Sequence, residues 1–123
     1  MMLSKFVGIP YDLHNRTGIN CWALVALVYD EIFGDKLKDY SAKNFREVST
    51  AFTSAFFEGD HGFNKVDSPE DFDVVVLWSK RTVHCGIYYE GNLLHANNDA
   101  KQVIFEKLKN ASRSFERIEF WRK

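Results

Sequence analysis

Cys21, His84 and His95 are the residues whose types and spacing could support nucleophilic chemistry. Cys21 follows Asn20 and opens the apolar run CWALVALVYDEIF. A thiol in the first turn of a helix faces unpaired backbone N–H groups and the positive end of the helix dipole. Both favour the thiolate, which is the reactive form. The same N–H groups can hold the oxyanion that forms when a thiolate attacks a carbonyl. A buried structural cysteine fits this position equally well. His84 lies early in the run VHCGIYY. A core-facing imidazole needs a partner, because burying it unpaired is costly. That partner can be a thiol or an ordinary polar group of the core. Gly86, two residues on, marks close approach by another backbone or a ligand. His95 ends the next run, across a turn at Gly91. From there it can bond one nitrogen of His84 and leave the other for a thiol. The alternative is an exposed histidine at a strand end.

The elements that would carry these groups follow from periodicity. Gly8 to Asn20 is rich in turn formers and reads as a loop. Cys21, Leu24, Val25, Val28 and Ile32 share one helical face. Asn20 is the expected N-cap and Gly34 the expected stop. A second helix is expected over residues 42–57, with Phe45, Val48, Phe52 and Phe56 in one apolar stripe and Ser41 as cap. Residues 58–71 read as a loop. Five strands are then expected at 73–78, 83–89, 92–96, 101–105 and 115–121, all β-branched or aromatic and separated by turn residues. Glu90 to Asn92 is a tight hairpin turn. Helices followed by strands imply an α+β fold with an antiparallel sheet of about five strands.

The chain has 123 residues, enough for a single domain over 1–123 with one core. With 46% hydrophobic residues and a formal charge of −1, disorder is excluded and no basic nucleic-acid surface is expected. The longest apolar runs are far shorter than the ~20 residues of a membrane span, so no membrane insertion is expected. MMLSKFVGIP contains no long apolar segment, so no secretory signal is read and synthesis in a cytoplasm is expected. Two cysteines make no disulfide framework. No CxxC, HxxxH or HExxH spacing occurs, so no metal site is expected. His14 and His61 fall in loops and read as solvated. Arg16 is close to Cys21 in sequence, but a role with substrate carboxylates is not favoured.

Three stretches together carry a family resemblance. FVGIPYDLHNRTGINCWALVALVYDEIFG resembles the opening of NlpC/P60 domains, especially the short phage-associated ones: a Gly-x-Pro-Tyr loop, a polar residue, Cys, and an apolar helix. EDFDVVVLWSKRTVHCGIYYEGNLLHA is similar to the family's second half, where an Asp-led strand precedes His-x-Gly-Ile-Tyr, a Gly turn and a strand ending in His-Ala. RIEFWR resembles its last strand. The chain departs from the pattern at Asn20, where an acidic residue is usual, and at Ala23 and Phe72, where Gly is frequent. Cys85 stands in place of Val or Ala.

The resemblance implies a papain-like domain. Cys21 would be the nucleophile, His84 the general base, and His95 the residue orienting it. Tyr11, and with it Trp22, would line the substrate site. It implies a peptidoglycan stem peptide as substrate, amide hydrolysis through an acyl-enzyme, and no metal or organic cofactor. The short phage-like form implies association with phage tail proteins and a place in the virion tail. Two alternatives stand beside this reading: a structural tail component that has lost catalysis, and a secreted antibacterial amidase effector. Side chains alternate along a strand. If His84 faces Cys21, Cys85 is expected to face away, with no disulfide between the two cysteines.

Overall fold

The computed structural model describes residues 3–37, 62–80 and 82–123. The expected helix over 42–57 and His61 lie outside the described residues. Helix α1 spans Cys21–Phe33. Its start is set by Asn20, whose side chain accepts from the Ala23 N–H. Its end is set by Gly34, which adopts φ 66° and returns its N–H to Asp30. That left-handed conformation is open to glycine at little cost. Cys21, Leu24, Val25 and Val28 are buried along the face that the spacing predicts.

The described strands are β1 (Asn64–Val66), β2 (Val74–Trp78), β3 (Val83–Tyr89), β4 (Asn92–Asn97), β5 (Gln102–Lys107) and β6 (Arg117–Arg122). They form one sheet in the order β1-β6-β2-β3-β4-β5, with every neighbouring pair antiparallel. The fold is therefore α+β. Strands β2 to β5 form a meander, and β6 returns to the free edge of β2. Between β5 and β6 the chain makes a short helix, α2 (Leu108–Ala111), and a 3-10 turn, Ser112–Ser114.

Six strands rather than five is a correction. β1 lies inside the stretch read as a loop. It is three residues long with no apolar alternation, and it exists because β6 offers an edge, pairing Lys65 with Trp121. Lys101 is a turn residue with φ 59°, so β5 starts one residue later than expected and runs on to Lys107. Phe115 likewise precedes β6 instead of opening it.

Both faces of the sheet are covered. Val74, Val76, Cys85, Ile87, Leu94 and Ala96 share the main core with α1. Val75, Leu77 and Leu93 pack on the other face with Ala111 of α2, and Phe115 borders them. This explains why β2 reads VVVLW without alternation: a strand buried on both sides needs apolar residues throughout. At its foot Asp73 is buried and receives both Nε and Nη2 of Arg122, tying β2 to the end of β6. Phe72 adopts φ 74°, a conformation that bulky side chains avoid. That is why glycine is the expected residue there. Phe72 nevertheless stacks edgewise on Phe33 and Tyr89, and its carbonyl accepts from the Tyr29 hydroxyl at 2.7 Å.

Candidate active site

Cys21 is placed by the loop before it. Residues 8–11 run beside β5: Gly8 N–H donates to Val103 O, Val103 N–H to Ile9 O, and Tyr11 N–H to Lys101 O. Asp12 then folds the loop around its carboxylate, accepting from the N–H groups of His14, Arg16 and Thr17 and from the Thr17 hydroxyl. These bonds, led by Thr17, hold its carboxyl down at about 2. Gly18 passes so close to Pro10 that a Cβ there would lie 2.0 Å from the Pro10 oxygen. Asn20, 1% exposed, closes the loop. Its Oδ1 caps the helix while its Nδ2 donates to Leu13 O at 3.0 Å. A carboxylate could not make the second bond, so the amide at this position has a local reason.

The imidazoles come from the sheet. β3 and β4 pair from Tyr89↔Asn92 to Ile87↔Leu94, and the ladder stops there. Beyond it, the strands are joined by side chains: His84 Nε2 lies 2.8 Å from His95 Nδ1. Gly86 permits this. A Cβ on it would lie 2.6 Å from the Leu94 oxygen and 3.0 Å from the His95 Cβ. The His84 ring lies parallel to Phe115 with a 6.0 Å centroid separation. His95 is buried, and its Nε2 lies 2.9 Å from Oε2 of Glu106 on β5. Burial, with His84 next to it, pulls the His95 imidazole down to about 4, against the pull of Glu106. His95 is therefore neutral near pH 7.

A cavity of about 330 Å³ opens where the ladder ends, and Cys21, His84, His95, Tyr11, Glu106 and Phe115 all line it. The expected thiol and imidazoles are thus brought together. Tyr11 also stands where expected. Burial, with Cys21 and Asp12 adding, pushes its hydroxyl up to about 12, so it remains a proton donor at neutral pH. Trp22 is a correction. It is 1% exposed in the main core and does not line the cavity. Cys21 already occupies the cavity-facing position, and the next helical residue turns about 100° away, into the packed interior.

Cys85 is the second correction. It does not stand apart from Cys21. Alternation holds along β3, with Cys85 on the α1 face beside the main core and His84 against Phe115. Cys21, at the helix start over the end of the ladder, meets both. Both cysteines are free thiols. Hydrogen bonding from Cys85, with His84 adding, holds the Cys21 thiol well below its ordinary range in spite of burial. Burial, and then Cys21, push the Cys85 thiol up. Of the two thiols, Cys21 is therefore the one biased toward thiolate.

Glu106 and Phe115 are the residues that sequence reasoning missed. Ending the fourth expected strand at Phe105 left Glu106 outside it. With the strand continued, period-two alternation and the pairing His95↔Ile104 put Glu106 on the His95 face. His14 and Arg16 are exposed and lie off the cavity. Among the described residues, no group of three or more His, Cys, Asp or Glu is arranged to hold a metal, and no helix is long and apolar enough to cross a membrane.

Comparison with known proteins gives two findings. The family model described as NlpC/P60 matches residues 8–122. Among solved structures, the chain is similar to the NlpC/p60 domain of the peptidoglycan hydrolase SagA, with TM-score 0.58 and 17% sequence identity. The match covers 94% of this chain and 89% of that one. No curated protein matches it.

Proposed function

The chain belongs to the NlpC/P60 family, and from that premise we propose that it is a cysteine endopeptidase that hydrolyses amide bonds in peptidoglycan stem peptides. The observation that carries this reading is the shared cavity: a thiol at the first residue of α1, biased to thiolate, opening onto the same space as a pair of hydrogen-bonded imidazoles. The peptidoglycan hydrolase among its structural neighbours supports the choice of substrate.

In this mechanism the Cys21 proton passes to His84, and the Cys21 sulfur attacks the scissile carbonyl carbon. The first-turn N–H groups of α1 and the Tyr11 hydroxyl are the donors available to the oxyanion. The C–N bond breaks as His84 returns its proton to the leaving amine, giving a thioester on Cys21 and a free amino terminus. Water then gives one proton to His84 and adds to the thioester carbon. The C–S bond breaks, His84 returns its proton to Cys21, and the acyl group leaves as a carboxylate, its remaining proton passing to solvent.

The resemblance to short phage-associated members supports work in a tail assembly that opens the wall locally. Incubation with purified peptidoglycan, followed by mass analysis of released fragments, tests the activity. New free amino termini should appear with the protein and be absent with Cys21→Ala. Equal release by that variant ends the proposal.

A further inference from the structure

We propose that Glu106 is a positioning residue that sets the direction of the hydrogen bonds through His95 to His84, and so fixes which nitrogen of His84 receives the Cys21 proton. The inference rests on the cysteine-peptidase reading above and adds a fourth member to the site.

Glu106 sits near the end of β5, and its Oε2 lies 2.9 Å from His95 Nε2. A carboxylate only accepts, so His95 Nε2 carries a hydrogen. His95 is 4% exposed and neutral near pH 7, so it has one ring N–H and not two. Its Nδ1 is then a bare acceptor. That atom lies 2.8 Å from His84 Nε2, which must therefore donate. The one hydrogen of a neutral His84 is thereby placed on Nε2, and Nδ1 is left with the lone pair. A base needs that lone pair on the nitrogen not occupied by His95.

The same chain acts again after the proton has moved. Protonated His84 is a cation whose Nε2–H points into an acceptor, itself polarised by a carboxylate. Glu106 is the one acidic side chain bonded to either imidazole among the described residues. It is also partly open to solvent, with 31% of its side chain exposed. It can therefore carry its charge without the cost of full burial. A buried neutral histidine thus conveys the orientation set by an ion that stays at the surface.

Two measurements test this. In ¹⁵N-histidine-labelled wild-type protein near pH 7, long-range ¹H–¹⁵N correlation should show the hydrogen on Nε2 of His95; finding it on Nδ1 overturns the proposal. In parallel, Glu106→Met, which cannot accept, is compared with Glu106→Gln, which can. With peptidoglycan, Glu106→Met should lower kcat by on the order of 10- to 100-fold with KM unchanged. Glu106→Gln should recover most of that loss. Alkylation of Cys21 by iodoacetamide should slow about tenfold in Glu106→Met and recover in Glu106→Gln. A folded Glu106→Met with wild-type alkylation and turnover also overturns it. Should wild-type protein release no peptidoglycan fragments, the substrate reading falls, while alkylation and the imidazole spectrum still decide the role of Glu106. Should Glu106→Met fail to fold, the wild-type spectrum and Glu106→Gln carry the test.

Discussion

The two halves of the site are held in different ways. On the helix side, Cys21 is placed by contacts close in sequence. Asp12 bonds residues up to Thr17, and Asn20 bonds Leu13, Asn15 and Ala23. Most of these partners are backbone groups, and several act in parallel. On the sheet side, His84, His95 and Glu106 come from three strands, and each link joins residues eleven apart in the chain. Those links are side chain to side chain, in series, with one bond per step. A parallel arrangement loses a little when one bond is lost. A serial one loses what every later member depended on. Damage to the loop should therefore appear mainly as lost stability, and damage to the strands mainly as lost turnover.

The largest effect should come from the centre of the serial side. His84→Ala removes the proton acceptor and should reduce peptidoglycan hydrolysis by about 10³-fold or more, close to the effect of Cys21→Ala. Combining the two should add little, because they act as one unit. Near-additive losses in the double variant would show that Cys21 and His84 act independently.

Gly86→Ala should come next. The new methyl meets the Leu94 carbonyl and the His95 Cβ, and neither is the end of a flexible chain. We expect about 1–3 kcal/mol of destabilisation, read by urea denaturation, as for an overpacked core. Turnover should fall more than that stability loss implies, because β4 must move and carry His95 with it. Unchanged turnover at reduced stability would show that the histidine pair tolerates strand displacement.

On the parallel side, Asn20→Ala should cost about 1–2 kcal/mol, combining a lost cap with an unsatisfied Leu13 carbonyl. The folded fraction should keep kcat within a few-fold of wild type. Asn20→Asp keeps the cap acceptor but sets a carboxylate against the Leu13 carbonyl, so it should also be destabilising. A hundredfold fall in kcat for either variant would place the loop in series with the chemistry.

The smallest effect concerns Asp12. Its folded pKa, about 2, is below its ordinary 3.8. A depressed carboxyl stabilises the fold above its unfolded pKa, and the contribution fades as pH falls through the folded value. The stability gap between wild type and Asp12→Asn should therefore be constant above about pH 5 and close between about pH 4 and pH 2. A gap that widens with acid would contradict the bonds drawn to that carboxylate.

What could be read without coordinates was mostly local. The cap at Asn20, the stop at Gly34 and the tight turn around Gly91 each depend on a few neighbouring residues; the first two are where the pattern puts them, and the turn is one residue shorter, because Asn92 already pairs with Tyr89. The glycine in VHCGIYY likewise signalled close approach, and the Leu94 carbonyl is what approaches. Cys21, His84 and His95 were nameable as candidates because a helix start and two strands flanking a tight turn bring their own geometry.

The remainder depended on pairings between distant segments. β1 has no signal of its own and forms because β6 presents an edge. Glu106 looks like any exposed strand-end acid until the β4–β5 register sets it beside His95. Cys85 was expected to face away, because alternation along one strand says nothing about a helix start that reaches past the end of a ladder. Trp22 sits next to Cys21 in the chain but in the core in space. Helix caps and turns are decided by energies between near neighbours, so the order of residues determines them. Register, edge pairing and what crosses from one layer to another are decided only when the whole sheet closes around its core, and that is the scale at which this site is assembled.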